Sequence, residues 1–476
     1  MGRIPTKQLK VAPSAEGGIR TNFRDGIFTL IVDYALPSKG QPMLLALEEG
    51  AAITKLVAKN KRVTALSIGD DGSTSPRYSL LKVCRNLRKS SRKLEMLAGV
   101  AGGGLTDDDF SKLLTNLAEL RVDSVVAYVG SRLAKHPVTD SGIPISSPKD
   151  YLDSAKMIYQ IRRQWPNALV GARVNPFKYC IEDVYLQYYR MTKGIASGAD
   201  FLVSQPGWDM KKLHEMQWYM RMRELDVPVV AKVKMLQYDD VNAILRNDCP
   251  GIALSREVGA VVQREFSDER KGIEYALRRL GLQVAGCRLL GFSGVSICGC
   301  NDALSVGLAM EYAANALDEF KNYDSWLEAW KACNHDVNFA PAGDKYYVFR
   351  NLLQHDGLDF DDETIEFSDD SLPQPESHDR MRYRLAKIAP KVVGGHVGDF
   401  IKRFLCGYKP GTKWQMDKTA MLCAAGCPKG LEEGVCEESR PDGTCEFGHK
   451  TCFFHNVLKL EQWQKSLENF EAPYEN

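Results

Sequence analysis

Phe28-Thr29-Leu30-Ile31-Val32-Asp33 is an apolar, β-branched run that ends in a carboxylate, and it is the first of a series of similar runs. Runs of this length and composition are typical of buried strands. Seven more follow, at residues 63–67, 94–99, 124–129, 169–174, 200–205, 228–233 and 294–299. The sequence therefore predicts eight strands.

Amphipathic stretches separate these runs, with apolar residues at three- and four-residue spacing, which predicts helices. Strict alternation of strand and helix indicates parallel strands with right-handed crossovers. The predicted helices lie near 43–59, 75–90, 107–120, 150–165, 180–196, 209–225, 237–247, 256–282 and 302–318.

Eight parallel strands are the number that closes a barrel with a filled interior, so the fold class predicted for residues 1–322 is an α/β (β/α)8 TIM-type barrel. A doubly wound open sheet is the alternative, although no Gly-x-Gly-x-x-Gly pattern follows the first strand. Residues 1–26 predict an irregular arm, residues 323–400 a helical and irregular connector, and residues 401–476 a small cysteine-rich metal-binding module.

Composition places the chain among ordinary globular proteins, with 44% apolar and 26% charged residues in a total of 476. A formal net charge of +1 gives no bulk attraction to nucleic acid or to an anionic membrane. No apolar run follows Met1 and no run reaches the length of a membrane span. We therefore expect a cytoplasmic protein without membrane or nucleic-acid partners.

Five of the thirteen cysteines are concentrated near the end of the chain: Cys423, Cys427, Cys436, Cys445 and Cys452. Thiolates gathered by short Gly and Pro turns suit a tetrahedral soft metal. Structural zinc is the favoured interpretation, an iron–sulfur cluster is the alternative, and free or disulfide-paired cysteines are the third. Four of the five suffice for zinc, and we favour the last four.

In a barrel of this type the strand ends and the loops after them form the active face. A carboxylate and a carboxamide there can bind the donor–acceptor edge of a pterin, and an exposed tryptophan can stack on a flat ring. Taken singly, however, such Asp and Gln residues are more often caps or loop braces. The candidate residues are Asp33, Ser67, Ser131, Arg173, Asn175, Gln205, Trp208, Asp209 and Asn301.

The local sequence around these residues is a more specific signal than the single residues. The barrel region contains Asp33-Tyr-Ala-Leu-Pro37 and Ser197-Gly-Ala-Asp-Phe-Leu-Val-Ser-Gln205. The C-terminal region contains Cys427-Pro-Lys-Gly-Leu-Glu-Glu-Gly-Val-Cys436, followed by Asp442-Gly-Thr-Cys445. Together they resemble methylenetetrahydrofolate reductases, in the bacterial subgroup that carries a C-terminal cysteine-rich domain.

The resemblance implies a barrel that binds a tetrahydrofolate derivative and usually a flavin, FAD or FMN, which passes hydride to methylenetetrahydrofolate and yields methyltetrahydrofolate. It makes Asp33 the general acid, a role that suits a carboxyl buried against the pterin. The substrate would be bound by Gln205, Asp209, Asn301, Trp208 and Asn175, and the flavin region would be lined by Ser67, Ser131 and Arg173.

The departures from this family include Asp33 in place of the usual Glu, but they cluster on the flavin side, where Ser131 replaces an acid and Lys232 stands at a glycine position. We therefore expect a folate-dependent one-carbon enzyme, with methylenetetrahydrofolate reduction as the default activity. The alternatives are a flavin-free, tetrahydrofolate-dependent methyltransferase or demethylase, and a non-catalytic folate-binding or assembly subunit. A reduced folate is the expected ligand, with a protein partner subunit or a second copy of the chain as further partners.

Overall fold

The computed structural model describes residues 17–69, 76–122, 124–132, 151–341, 347–348, 353, 372–392, 397, 400, 404–405 and 417–475. Within them, eight parallel strands form a closed barrel in chain order. They are β1 (Thr29–Ala35), β2 (Val63–Gly69), β3 (Glu95–Ala101), β4 (Ser124–Tyr128), β5 (Leu169–Val174), β6 (Phe201–Ser204), β7 (Val229–Lys234) and β8 (Gly294–Cys298).

Helices alternate with these strands as the sequence predicts, and further helices follow the barrel. They are α1 (Ile19–Asp25), α2 (Met43–Lys59), α3 (Leu80–Ser90), α4 (Asp107–Glu119), α5 (Ser154–Gln164), α6 (Ile181–Ala196), α7 (Met210–Met222), α8 (Tyr238–Leu245), α9 (Arg256–Glu265), α10 (Glu269–Leu289), α11 (Ala303–Glu319), α12 (Tyr323–Cys333), α13 (Ser377–Val392) and α14 (Phe453–Gln464).

Pairing of the first strand with the last one closes the barrel. Leu30 of β1 lies opposite Val295 of β8, and Asp33 lies opposite Ser67 of β2. This closure confirms the (β/α)8 prediction and rules out the open sheet. Because successive strand residues point to opposite faces, one set fills the barrel and the other packs against the helices. The interior set includes Ile31, Leu97, Val126, Phe201 and Val230.

The N-terminal segment differs from the predicted irregular arm, since α1 closes the end of the barrel at which the strands begin. Ile19 is fully buried in the interior cluster, and its backbone N–H donates to Glu95 Oε2 at 2.9 Å. Asn22 donates to Thr64 Oγ1 at 3.0 Å. The opposite end, where the strands finish, is therefore the face left for a site.

One predicted helix, 256–282, is two helices in the structure. The helix is interrupted between α9 and α10, where the Asp268 side chain accepts hydrogen bonds from the backbone N–H groups of Arg270 and Lys271. A carboxylate in that position satisfies donors that the first turn of a helix leaves free. The extra turn lets α10 pack along both α11 and α12.

The region after α12 is described only in part, since residues 342–346, 349–352, 354–371, 393–396 and 398–399 of the predicted connector lie outside the described residues. Residues 417–475 contain two short 3-10 turns, α14 and a final 3-10 turn at Leu467–Phe470. Among the described residues, no helix combines the length and apolar character needed to cross a membrane.

Candidate functional site at the barrel mouth

A polar layer lies above the apolar interior, at the end where the strands finish. Every second residue of a strand points to the same face, and each polar residue of this layer comes two places after an apolar residue that points into the barrel. The polar residues therefore point into the barrel as well. Asp33 follows Ile31, Gln205 follows Val203, and Lys232 follows Val230. The same repeat brings Arg173 to the end of β5. The mouth is therefore built from side chains on rigid strands.

These side chains surround a cavity of about 210 Å³ at the mouth. It contains three acidic and three basic side chains, with amides at its edges. Asn301 is exposed to solvent and lies at the rim, after the turn at Gly299. The cavity is lined by Asp33, Ala35, Arg173, Gln205, Pro206, Lys232, Lys234, Gln237, Asp239, Asp240, Cys298, Gly299 and Asn301.

Two ion pairs organise the charges of this cavity. Lys232 Nζ lies 2.9 Å from Asp33 Oδ2, and both side chains are less than a tenth exposed. Lys234 Nζ lies 2.9 Å from Asp240 Oδ1. The resemblance implies that the Asp33 carboxyl faces a pterin, whereas in the structure the Lys232 ammonium lies against it. Asp33 is thus held as an ion-paired acceptor, and Lys232 is the nearest proton donor.

Sequence reasoning did not assign Lys232 or Lys234 a role. The available signal was Val229-Val230-Ala231-Lys232-Val233-Lys234, in which two lysines two residues apart interrupt a buried strand. Lysine is rarely buried without a partner, so such a pattern indicates ion pairs inside the fold. Which carboxylates complete the pairs depends on the barrel register and is decided by the tertiary structure.

Arg173 occupies the side of the mouth formed by β4 and β5. The centre of its guanidinium lies 3.3 Å from the centroid of the Tyr128 ring, an arrangement in which the two planes stack. Ser67, a second residue of the predicted flavin region, lines a smaller cavity of about 20 Å³ beneath the mouth, together with Gly69 and Gly99. Those glycines keep the strands close, since a Cβ at Gly69 would lie 3.2 Å from Gly99 Cα.

Cys298 places a thiol on the opposite wall of the mouth. Burial raises the pKa of this thiol to about 12, with a smaller contribution from the Asp33 charge and an opposing one from Lys232. The thiol is therefore neutral near pH 7 and adds an apolar patch to an otherwise polar cavity.

Trp208 does not offer an exposed ring, which corrects that expectation. It is 2% exposed, it packs with Leu236, Val241 and Ile252, and its indole N–H donates to the backbone carbonyl of Lys234. The residue is apolar enough to be drawn into the core beside α8, so the ring braces the end of β7 from behind.

Asp209 also has a structural environment in place of the predicted contact with substrate. Its carboxylate accepts from the backbone N–H of Lys211 at the start of α7, and from the hydroxyls of Tyr179 and Tyr347 at 3.1 and 2.7 Å. Burial, followed by the Asp209 charge, raises the pKa of both tyrosines. The residue is buried and is absent from the cavity lining.

Asn175 is likewise fully enclosed, which corrects its predicted role in binding substrate. Its side-chain amide donates to the backbone carbonyls of Gly251 and Glu437, at 2.8 and 2.7 Å. Lys178, three residues further on, donates to the carbonyls of Glu437 and Ser439 and to the Ser439 hydroxyl. These residues attach the cysteine-rich region to the barrel.

That cysteine-rich region covers the mouth above β4 and β5. Lys429 Nζ donates to the Gly130 carbonyl at 2.6 Å, and the Arg132 N–H donates to Glu446 Oε2 at 2.8 Å. Ser131 lies between these contacts and is 7% exposed. Of the residues predicted to line a flavin, Ser131 is therefore enclosed, whereas Arg173 lies over the Tyr128 ring and still lines the mouth cavity.

Further contacts extend along α6. Arg190 pairs with Glu437 at 2.6 Å, and His455 Nε2 lies 2.9 Å from Asp183 Oδ1. Both pairs are buried, so separating the two parts would leave the charges of Arg190, Glu437 and Asp183 without these partners. The cysteine-rich region is thus tightly joined to the barrel wall.

Four of the five clustered cysteines share one environment. Burial raises the pKa of Cys427, Cys436, Cys445 and Cys452, and neighbouring thiols of this group contribute to the shift for the last three. Cys423 packs elsewhere, with Ala386 of α13. The set that the sequence favoured is therefore brought into one neighbourhood and Cys423 is left out.

The same thiols do not stand in a metal-binding arrangement. Across the described parts of the chain, no group of three or more His, Cys, Asp or Glu side chains is placed to hold a metal ion. The apolar side chains packed around the thiols include Leu431, Val435 and Phe447. The donor set suits zinc in composition but not in the geometry of this structure, so zinc and an iron–sulfur cluster both stay predictions.

Comparison with known proteins gives no family assignment: no family model matches the chain, and no curated protein matches it in sequence. Solved structures match in fold. One is an uncharacterized protein from Clostridium thermocellum that binds two copies of 5-methyl-5,6,7,8-tetrahydrofolic acid, with 13% identity, a TM-score of 0.42, and coverage of 62% of this chain and 96% of that one.

Two further structures have lower TM-scores. A putative deoxyribose-phosphate aldolase from Toxoplasma gondii ME49 is 13% identical, with a TM-score of 0.34, over 62% of this chain and 97% of that one. An aldolase called QR15 is 11% identical, with a TM-score of 0.31, over 60% of this chain and 96% of that one. At these identities and TM-scores the matches carry no argument about function.

Proposed function

We propose that the barrel mouth binds the pterin of a reduced folate and that the protein is a folate-dependent one-carbon enzyme. The observation that supports this most is the shared cavity of Asp33 and Gln205, which are far apart in sequence. The sequence resemblance independently selected both residues for the folate side.

The chemistry of the cavity suits a pterin edge. The Gln205 carboxamide both donates and accepts hydrogen bonds, and the Asp33 carboxylate accepts them. Lys232 adds a donor at 2.9 Å from that carboxylate. A cavity of about 210 Å³ holds a compact ring system, and the exposed Asn301 rim leaves the remainder of a folate in solvent.

Methylenetetrahydrofolate reduction is the activity that the sequence resemblance implies. A second candidate, flavin-free methyl transfer to or from tetrahydrofolate, is favoured by the enclosure of Ser131 and the stacking of Arg173 on Tyr128. We propose the transfer reaction as the alternative, in which Lys232 and Asp33 together supply or accept the proton at the reacting nitrogen.

Titration of the purified protein with 5-methyltetrahydrofolate, followed by isothermal calorimetry, tests the binding. We expect saturable binding that Gln205→Ala weakens at least about tenfold, which is the effect of losing hydrogen bonds worth about 1.4 kcal/mol. Gln263→Ala is the matched control, because this exposed amide on α9 does not line the cavity. Equal affinity of the wild type and Gln205→Ala would remove Gln205 from the site.

The absorbance spectrum of the same sample separates the two reactions. Stoichiometric flavin absorbance supports the reductase, and a colourless protein that binds the folate supports methyl transfer. A protein that binds neither folate nor flavin contradicts both and leaves the non-catalytic subunit as the interpretation.

A further inference from the structure

Lys232 has a chemical setting that suits more than hydrogen bonding and proton transfer to a folate. Its side chain is less than a tenth exposed and opens on the mouth cavity. The strand carries it, so its position is fixed by backbone pairing to Ser296 of β8. Its backbone N–H is also fixed, donating to the Ser204 hydroxyl at 3.0 Å. A primary amine is thus held at a defined point in a small cavity.

The partner of this amine is suited to moving protons. Asp33 Oδ2 lies 2.9 Å from Lys232 Nζ, so one proton can pass along a single hydrogen bond. A lysine becomes a nucleophile when such a base takes its proton. Water access is limited, since both side chains are less than a tenth exposed.

We propose that Lys232 forms a Schiff base with a small aldehyde or ketone. Asp33 takes one proton from the ammonium, and the free amine attacks the carbonyl carbon. A C–N bond forms while the C–O π bond breaks, and a second amine proton passes to the oxygen to give a hydroxyl. Asp33 returns the proton to that hydroxyl, which leaves as water while the C=N bond forms. One carbonyl and one ammonium thereby give one protonated imine and one water, with no oxidant or reductant.

The size of the cavity determines the substrate class. About 210 Å³ is below the usual 300–1,000 Å³ of ligand pockets, so the carbonyl compound is small. The neighbouring Lys234 is a less suitable nucleophile, because it is more exposed at 15% and its carboxylate partner Asp240 is 23% exposed. The extent of Lys234 modification therefore gives an internal comparison within the same strand and the same cavity.

Reductive trapping tests the inference directly. The full-length protein is incubated with glycolaldehyde or pyruvate and sodium borohydride, and the modified lysines are located by peptide mass spectrometry. We expect Lys232 to be modified at least about tenfold more than any other lysine. Lys232→Arg removes the modification but keeps the charge beside Asp33, and Lys55→Arg, at an exposed lysine of α2 outside the cavity, leaves it unchanged. Asp33→Asn slows it by about 10²-fold, the usual effect of removing a proton-transfer group.

Several results would overturn the proposal. They are an even distribution of label over surface lysines, modification of Lys234 in place of Lys232, or no modification with either carbonyl compound. The inference goes beyond the proposed folate function and does not rest on it. Calorimetry with 5-methyltetrahydrofolate on the untreated protein reports on folate alone, so the failure of one proposal is distinguishable from the failure of the other.

Discussion

The ion pair between Asp33 and Lys232 underlies both proposals, and a double-mutant cycle measures it. Two unit charges 2.9 Å apart attract with roughly 6 kcal/mol at an effective dielectric constant near 20, before the cost of desolvation. Removing one member leaves the other buried without a partner, which costs about 3–5 kcal/mol. Since both side chains line the mouth cavity and neither is fully buried, we expect the lower end of that range.

The variants are Asp33→Asn, Lys232→Met and the double substitution. We expect each single change to lower the free energy of unfolding by about 3 kcal/mol, and the double change to lower it by about 2–3 kcal/mol because no charge is then stranded. Urea unfolding followed by tryptophan fluorescence gives these values, provided that the slope with denaturant is the same for all four proteins.

Additive effects in this cycle, within about 0.5 kcal/mol, would show that the two residues do not interact in solution. The polar layer at the mouth would then have a different arrangement from the one described, and the proton-transfer roles assigned to the pair would be untenable.

Three further predictions concern other parts of the chain. Burial lowers the pKa of His214 from 6.5 to about 3, so the folded state binds fewer protons than the unfolded state below pH 6.5. Stability should therefore fall by up to about 1.4 kcal/mol per pH unit as pH drops from 6.5 towards 3, and His214→Gln should flatten the stability–pH curve. Lys178→Met should lower the free energy of unfolding by about 2–3 kcal/mol, because three hydrogen bonds are lost. Amide hydrogen exchange should increase around residues 437–439. Unchanged exchange there would contradict the attachment of the cysteine-rich region to the barrel through Lys178. Metal analysis tests the zinc prediction, which the cysteine pattern favours and the arrangement of the thiols does not: about one zinc per chain, retained in Cys423→Ala and lost in Cys427→Ala, would support it, and a metal-free wild-type protein would contradict it.

The barrel itself was predictable because its signals are local. Strand and helix periodicity can be recognised within short windows, and eight alternating units leave few ways to cover both faces of a parallel sheet. Short elements could not be predicted from periodicity. The helix at Ile19–Asp25 has too few residues for a periodic pattern, and its stability comes from burying Ile19 in the barrel.

The sequence by itself determined which residue types stand at the strand ends, and therefore that Asp33 and Gln205 belong to one face. Only the tertiary structure decided their partners. Closure of the barrel brings Lys232 beside Asp33. Packing behind β7 buries the ring of Trp208. Contact with the C-terminal region encloses Asn175. Each of these arrangements depends on contacts between segments that are far apart in the chain. The energies of such contacts cannot be inferred from the local order of residues.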